Sequence, residues 1–251
     1  MREDDRGQSE LLGFLLIFTV VVLTIALVSA TGFVGFNSAQ DYQRTANAEG
    51  AFTALANNVD DVVRAGAPSR TTEIRIADAS LSFEEEMTNI SVAVDGEPLD
   101  LDGAGATGAI VYDSGTETTI TYRSGALIRQ DDGSSLLFRE PDFVVTEEEL
   151  ILPVIRASSE NPSTIGGTSS VDVWTRGGET DVVAENDSVD DNVTIELTTP
   201  HVDAWTRYFE QFEDGGPVTN VTPDFDENRV EVEIETERLY VTVHWVDVTL
   251  R

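Results

Sequence analysis

The sequence predicts an α+β fold: a long N-terminal transmembrane and stem helix, then a mostly antiparallel β head with one late helix. Three observations carry this. Residues 11–40 hold no charged side chain and open with Leu, Phe, Ile and Val. From Tyr42 the apolar residues recur at helical spacing. From Thr71 onward they alternate with polar ones, the period of a half-buried strand.

The first element is the apolar run. A spanning helix needs about 20 mostly apolar residues, and residues 11–29 supply them, interrupted only by Gly13, Thr19 and Thr24. At ~1.5 Å per residue the whole uncharged run reaches roughly 45 Å as a helix, so its far end leaves the hydrocarbon. Arg2 and Arg6 precede it, which favours a cytoplasmic N-terminus. The stem follows. Tyr42, Ala46, Phe52, Leu55, Val59 and Val62 keep a period close to 3.6, with polar residues between them. Gly66-Ala67-Pro68 ends the pattern.

The β head is read from short alternating segments. They are 72–76, 90–94, 109–112, 118–122, 126–129, 135–139, 143–146, 150–155, 171–175 and 193–198. Turn signals separate them at Asp95-Gly96, Ser124-Gly125, Asp132-Gly133 and Gly177-Gly178. Val230, Val232 and Ile234 alternate with Glu231, Glu233 and Glu235, and 239–245 continues as a hairpin or one long strand. The late helix opens at Thr199-Pro200 and ends at Gly215-Gly216-Pro217. Its stripe of Val202, Trp205, Phe209 and Phe212 reads as core packing, with Trp205, Tyr208 and Phe209 as the aromatic group a sugar or partner would otherwise use.

Charge and composition exclude several functions. The chain has 15 Arg, no Lys, and 47 Asp plus Glu, for a net charge of −32. Residues 1–66 hold four Arg and eight acids, so 28 of the excess negative charges belong to residues 67–251. Nucleic acid is therefore a poor partner. Concentrated salt shortens the Debye length to about 3 Å at 1 M and relieves the self-repulsion. An acidic, Lys-free surface resembles proteins of salt-loving archaea. There is no Cys, so disulfides, thiolate metal sites and Cys nucleophiles are absent. His201 and His244 are the two histidines, and no nucleophile elbow, P-loop, His-Glu-x-x-His or dinucleotide fingerprint occurs. Glu84-Glu85-Glu86 and Glu147-Glu148-Glu149 offer oxygens of the kind Ca²⁺ takes, but without EF-hand spacing they read as a solvated face. No catalytic residue, cofactor or metal site is nominated, and the chain is not read as an enzyme.

The junction Arg6-Gly7-Gln8-Ser9-Glu10, followed at once by the apolar run, resembles the class III signal of archaeal type IV pilins. Ser9 and Gly13 match the Ser-Pro-x-x-Gly opening common in haloarchaeal members, with Glu10 in place of Pro. The resemblance covers about the first 35 residues. It implies cleavage by a prepilin peptidase after Gly7, leaving Gln8 as the mature terminus. The chain then divides into a leader (1–7), a transmembrane and stem helix (8–66) and an extracellular β head (67–251). The resemblance also implies assembly with other pilin subunits or with itself through the N-terminal helix. Glu10 would pair with a neighbour's terminal amine, or rest among lipid headgroups, and Gly13 would permit close helix approach. The expected role is a minor pilin or filament-associated surface subunit with a structural or adhesive task. The alternatives are a single-pass anchored surface domain that does not assemble, and a signal peptide cut after Ala30. Four sequons, at Asn89, Asn186, Asn192 and Asn220, fit an external glycoprotein.

Overall fold

The structure is a computed structural model, described for residues 4–101, 106–116, 118–186, 188–190 and 192–251, with side chains described except at 4–11, 29–39, 86–87 and 186. The elements in order are α1 (Asp4–Val63), β1 (Ser69–Val94), β2 (Glu97–Pro98), β3 (Ala106–Asp113), β4 (Thr118–Arg123), β5 (Ala126–Asp131), β6 (Ser134–Arg139), β7 (Val144–Val145) and β8 (Leu150–Ser158). Then come β9 (Thr164–Asn186), β10 (Val193–Thr198), α2 (Val202–Glu210), β11 (Val218–Asp224), β12 (Arg229–Ile234) and β13 (Leu239–Leu250). Two compact units divide the chain, Met1–Ala46 and Asn47–Arg251, and the boundary falls within α1.

The expected fold class is corrected. The chain is mostly β-sheet, and among the described residues no helix is long and apolar enough to cross a membrane. The residues beyond Asn47 pack on the sheet. Ala48, Phe52, Leu55, Ala56 and Val59 are at most 2 % exposed and belong to one core with the sheet. Their spacing puts them on one face of the helix, and that face is covered. Gly66, at φ +68, ends the segment, and Ala67 N–H returns to Asp61 O at 3.0 Å to satisfy a last-turn carbonyl.

A single 13-stranded sheet carries the rest, in the order β6-β5-β4-β3-β1-β9-β13-β8-β7, with β10 joining β1 to β12 and β11 on the outer side of β12. Each alternating segment of the sequence falls within a strand except 143–146, of which only Val144–Val145 is strand. Three of the four turn signals are tight hairpins in which both central residues have positive φ: Asp95-Gly96 (51, 81), Ser124-Gly125 (43, 85) and Asp132-Gly133 (47, 80). The fourth is no turn. Gly177 and Gly178 lie inside β9, where a Cβ on Gly177 would meet Val62 Cγ1 at 3.0 Å and one on Gly178 would meet Trp245 at 3.1 Å. Close approach, not chain reversal, requires glycine there. β13 pairs with β9 antiparallel and with β8 parallel, so the sheet is mixed.

Long strands serve two cores. One core contains α1 residues from Ala48, together with Ile74, Ile76, Ile110, Ile120, Tyr122 and Val173. The other contains α2, Ile90, Val92, Ile195, Val232, Val241 and Leu152. β1 passes from the first to the second through register shifts at Ala77/Ala79 and between Glu84 and Thr88. Such bulges change the face a strand presents.

Candidate functional site

The N-terminal unit presents apolar surface. From Leu12 to Val28 thirteen large apolar side chains are 47–70 % exposed. Thr19 and Thr24 turn their hydroxyls inward, donating to Leu15 O and Val20 O at 2.7 Å, so the hydroxyls add little polarity to this run. Phe14 and Phe18 stack at 6.3 Å. Gly13 has open space around the position of a Cβ. The side chains of Arg6, Gln8 and Glu10, like the position of Gly7, lie outside the residues whose side chains are described.

The sequons differ in access. Asn220 is exposed on β11, which among the described residues pairs only with β12, and its Nδ2 donates to Thr222 Oγ1 at 3.2 Å. Asn89 is exposed but its backbone sits between β3 and β10. Asn192 is half-buried, and its carbonyl accepts from Asp95 N–H at 2.9 Å. The Asn186 side chain lies outside the described residues. The aromatic stripe of α2 is core: Trp205 is 1 % exposed and packs on Phe143, Tyr208 and Phe209. The two Glu runs do not act alike. Glu149 meets Arg238 at 3.6 Å near the surface, whereas Glu84 is half-buried in a cleft. Among the described residues no His, Asp and Glu cluster is placed to hold a metal ion.

That cleft is one of several concavities of the β unit. Its floor follows from strand register. Ser80 of β1 pairs with Asp113 of β3, Asp113 with Thr119 of β4, and Thr119 with Gln130 of β5. One step along the same face, Thr164 of β9 pairs with Ser82, Ser82 with Val111, and Val111 with Thr121. Beyond these rows Glu84 pairs with Ala109. The intervening residues Leu81, Phe83, Ile110, Tyr112, Ile120 and Tyr122 point the other way, into the helix-covered core. Apolar residues on one face thus oblige the polar ones onto the other. Pro200 and His201, just ahead of α2, close the cleft, whose volume is about 390 Å³. That lies within the roughly 300–1,000 Å³ of small-molecule sites.

Two buried side chains, His201 at the cleft and Arg123, carry polar atoms with no hydrogen-bond partner among the described residues. His201 is 4 % exposed, and its Nδ1 has no hydrogen bond among the described residues. Burial, reinforced by the Arg123 charge, lowers its pKa to about 4, so the ring is neutral at pH 7. Arg123 is fully buried. Nη1 donates to Thr88 Oγ1, while Nε and Nη2 have no partner among the described residues. Burial brings its pKa down to about 10, opposed by Glu84, and it stays charged. Unpaired buried polar groups cost free energy and gather at sites with a task.

Sequence reasoning missed this cleft. Alternate polar residues on β1, β3, β4 and β5 were legible as an outward face. That the four strands align them into rows was not.

Residues 6–249 match a family of unknown function, DUF7289. The chain belongs to that family. No curated protein and no solved structure matches it. The family match begins before the apolar run and ends near the close of β13, so the N-terminal segment and the β unit recur together as one family unit.

Proposed function

We propose that this protein is a type IV pilin-like surface subunit, a minor or filament-associated component with a structural and adhesive task. One observation carries the reading: the run from Leu12 to Val28 exposes thirteen large apolar side chains in the isolated chain. Soluble monomers rarely expose so large a contiguous apolar patch, and one this size marks an interaction surface. Burying a half-exposed Leu, Ile or Phe recovers on the order of 1 kcal/mol each, so covering the run is worth on the order of 10 kcal/mol. In a filament, equivalent segments of other subunits provide that cover. The Arg6-Gly7 junction supports processing by a prepilin peptidase, and the acidic charge of residues 67–251 supports an external, high-salt setting.

The test separates assembly from processing. Glu10→Gln and Glu10→Leu are expected to keep membrane association and cleavage yet lower the protein's abundance in sheared surface filaments. Wild-type protein missing from every filament fraction would remove the filament role and leave an anchored surface domain.

A further inference from the structure

The geometry points to the cleft over β1, β3, β4 and β5 as a binding site for a neutral polyhydroxyl ligand, a mono- or disaccharide. The inference stands apart from filament assembly, because the cleft lies wholly within the Asn47–Arg251 unit.

The lining fixes the chemistry. Ser80, Ser82, Thr119, Thr121 and Thr164 present hydroxyls, which both donate and accept. Gln130 adds an amide of the same dual character. Glu84 and Asp113 accept only, and sugar hydroxyls supply the protons they need. Val111 and Pro200 give two small apolar patches of the kind that meet C–H faces of a ring. Within each floor row neighbouring residues stand about 4.8 Å apart, the strand spacing, which is comparable to the distance between hydroxyls across one pyranose.

Other ligand classes fit less well. An anion meets Glu84 and Asp113 in a chain of net charge −32. Its natural partner, Arg123, does not line the cleft and has no exposed surface. A divalent cation lacks a cluster of ligands among the described residues. His201, whose Nδ1 has no hydrogen-bond partner among the described residues, stands at the rim of this cleft. The residue lines the cleft, is 4 % exposed, and its neutral ring matches a neutral hydroxyl. A hydrogen-bonded ligand of this kind also keeps its affinity in concentrated salt, where charge-based recognition fades.

The experiment uses the full chain in detergent micelles and molar NaCl. The probes are glucose, galactose, mannose, N-acetylglucosamine, lactose and maltose, with galacturonate and glucosamine as charged comparators. Saturation-transfer NMR detects binding, and titration gives the dissociation constant. At least one neutral sugar is expected to bind. Gln130→Leu and Thr121→Val are each expected to weaken it about three- to tenfold, the ordinary worth of one hydrogen bond. Thr219→Val, on the exposed side of β11, is expected to change nothing. Unchanged circular dichroism confirms that the variants fold. Should Thr121→Val unfold, the half-buried Gln130→Leu alone decides. Three results overturn the inference: no transfer from any neutral sugar, binding of galacturonate alone, or full-strength binding to Gln130→Leu.

Discussion

Replacing Phe52 with Ala tests whether the segment of α1 beyond Asn47 is a core layer. Phe52 has no exposed surface, and its cluster includes Leu55, Val59, Ile74, Ile76, Val173 and Val248. Truncating a fully buried Phe removes its transfer free energy and leaves a cavity, for a loss of about 3–5 kcal/mol. Domains are stable by about 5–15 kcal/mol, so the variant forfeits a large share. With a urea slope of about 1–3 kcal/mol per molar, the midpoint falls by on the order of 1–3 M. Thr53 is the matched comparison: it is exposed, and its hydroxyl only donates to Glu49 O at 2.8 Å. Thr53→Ala is expected to stay within about 0.5 kcal/mol of wild type. The assay is urea titration of the full chain in micelles and molar salt, followed by the fluorescence of Trp174, Trp205 and Trp245, which all lie in the β unit. A Phe52→Ala midpoint equal to that of Thr53→Ala would show that the helix contributes nothing to the core.

Three further outcomes follow from charge and sequence. The pKa of His201 lies at about 4 in the folded chain against 6.5 ordinarily, so the unfolded chain takes the proton first; stability is full above about pH 6.5 and falls toward pH 4, by at most ~3 kcal/mol. His244 is lowered too, chiefly by burial, and adds to the same slope. Asp203 and Asp131 are held low and extend the loss only in the carboxylate range, where raised Asp60 opposes them. Urea midpoints across pH 4.5–7.5 are expected to flatten in His201→Gln, and an unchanged slope would remove His201 as the cause. The full chain is expected to lose β-structure in dilute buffer and regain it in molar KCl, because 28 excess negative charges lie in residues 67–251; circular dichroism that is flat across the salt series would refute this. Mass spectrometry of the mature chain is expected to find Gln8 first, and Gly7 replaced by a bulky residue to leave the precursor uncut. A terminus at Thr31 would instead show signal-peptide cleavage.

Local chemistry made part of this protein legible in one dimension. Hairpins at Asp95-Gly96, Ser124-Gly125 and Asp132-Gly133 follow from residues that tolerate positive φ. Strand positions follow from a side-chain period of two, and the stripe of α2 from one of 3.6. Charge, the absence of Cys and the apolar N-terminus also need no fold. What depends on pairing between distant segments was not legible. Segments 72–76 and 90–94 read as separate strands, but they are one, because pairing with β9, β3 and β10 holds the backbone extended between them. Gly177-Gly178 reads as a turn until Val62 and Trp245 are brought against it. The apolar face of residues 48–62 suits a stem or a core layer equally, and only the sheet beside it decides for the core. The cleft depends most on tertiary structure. Ser80, Asp113, Thr119 and Gln130 are scattered over fifty positions and become a row only through the register of four strands, which backbone hydrogen bonds between distant residues set.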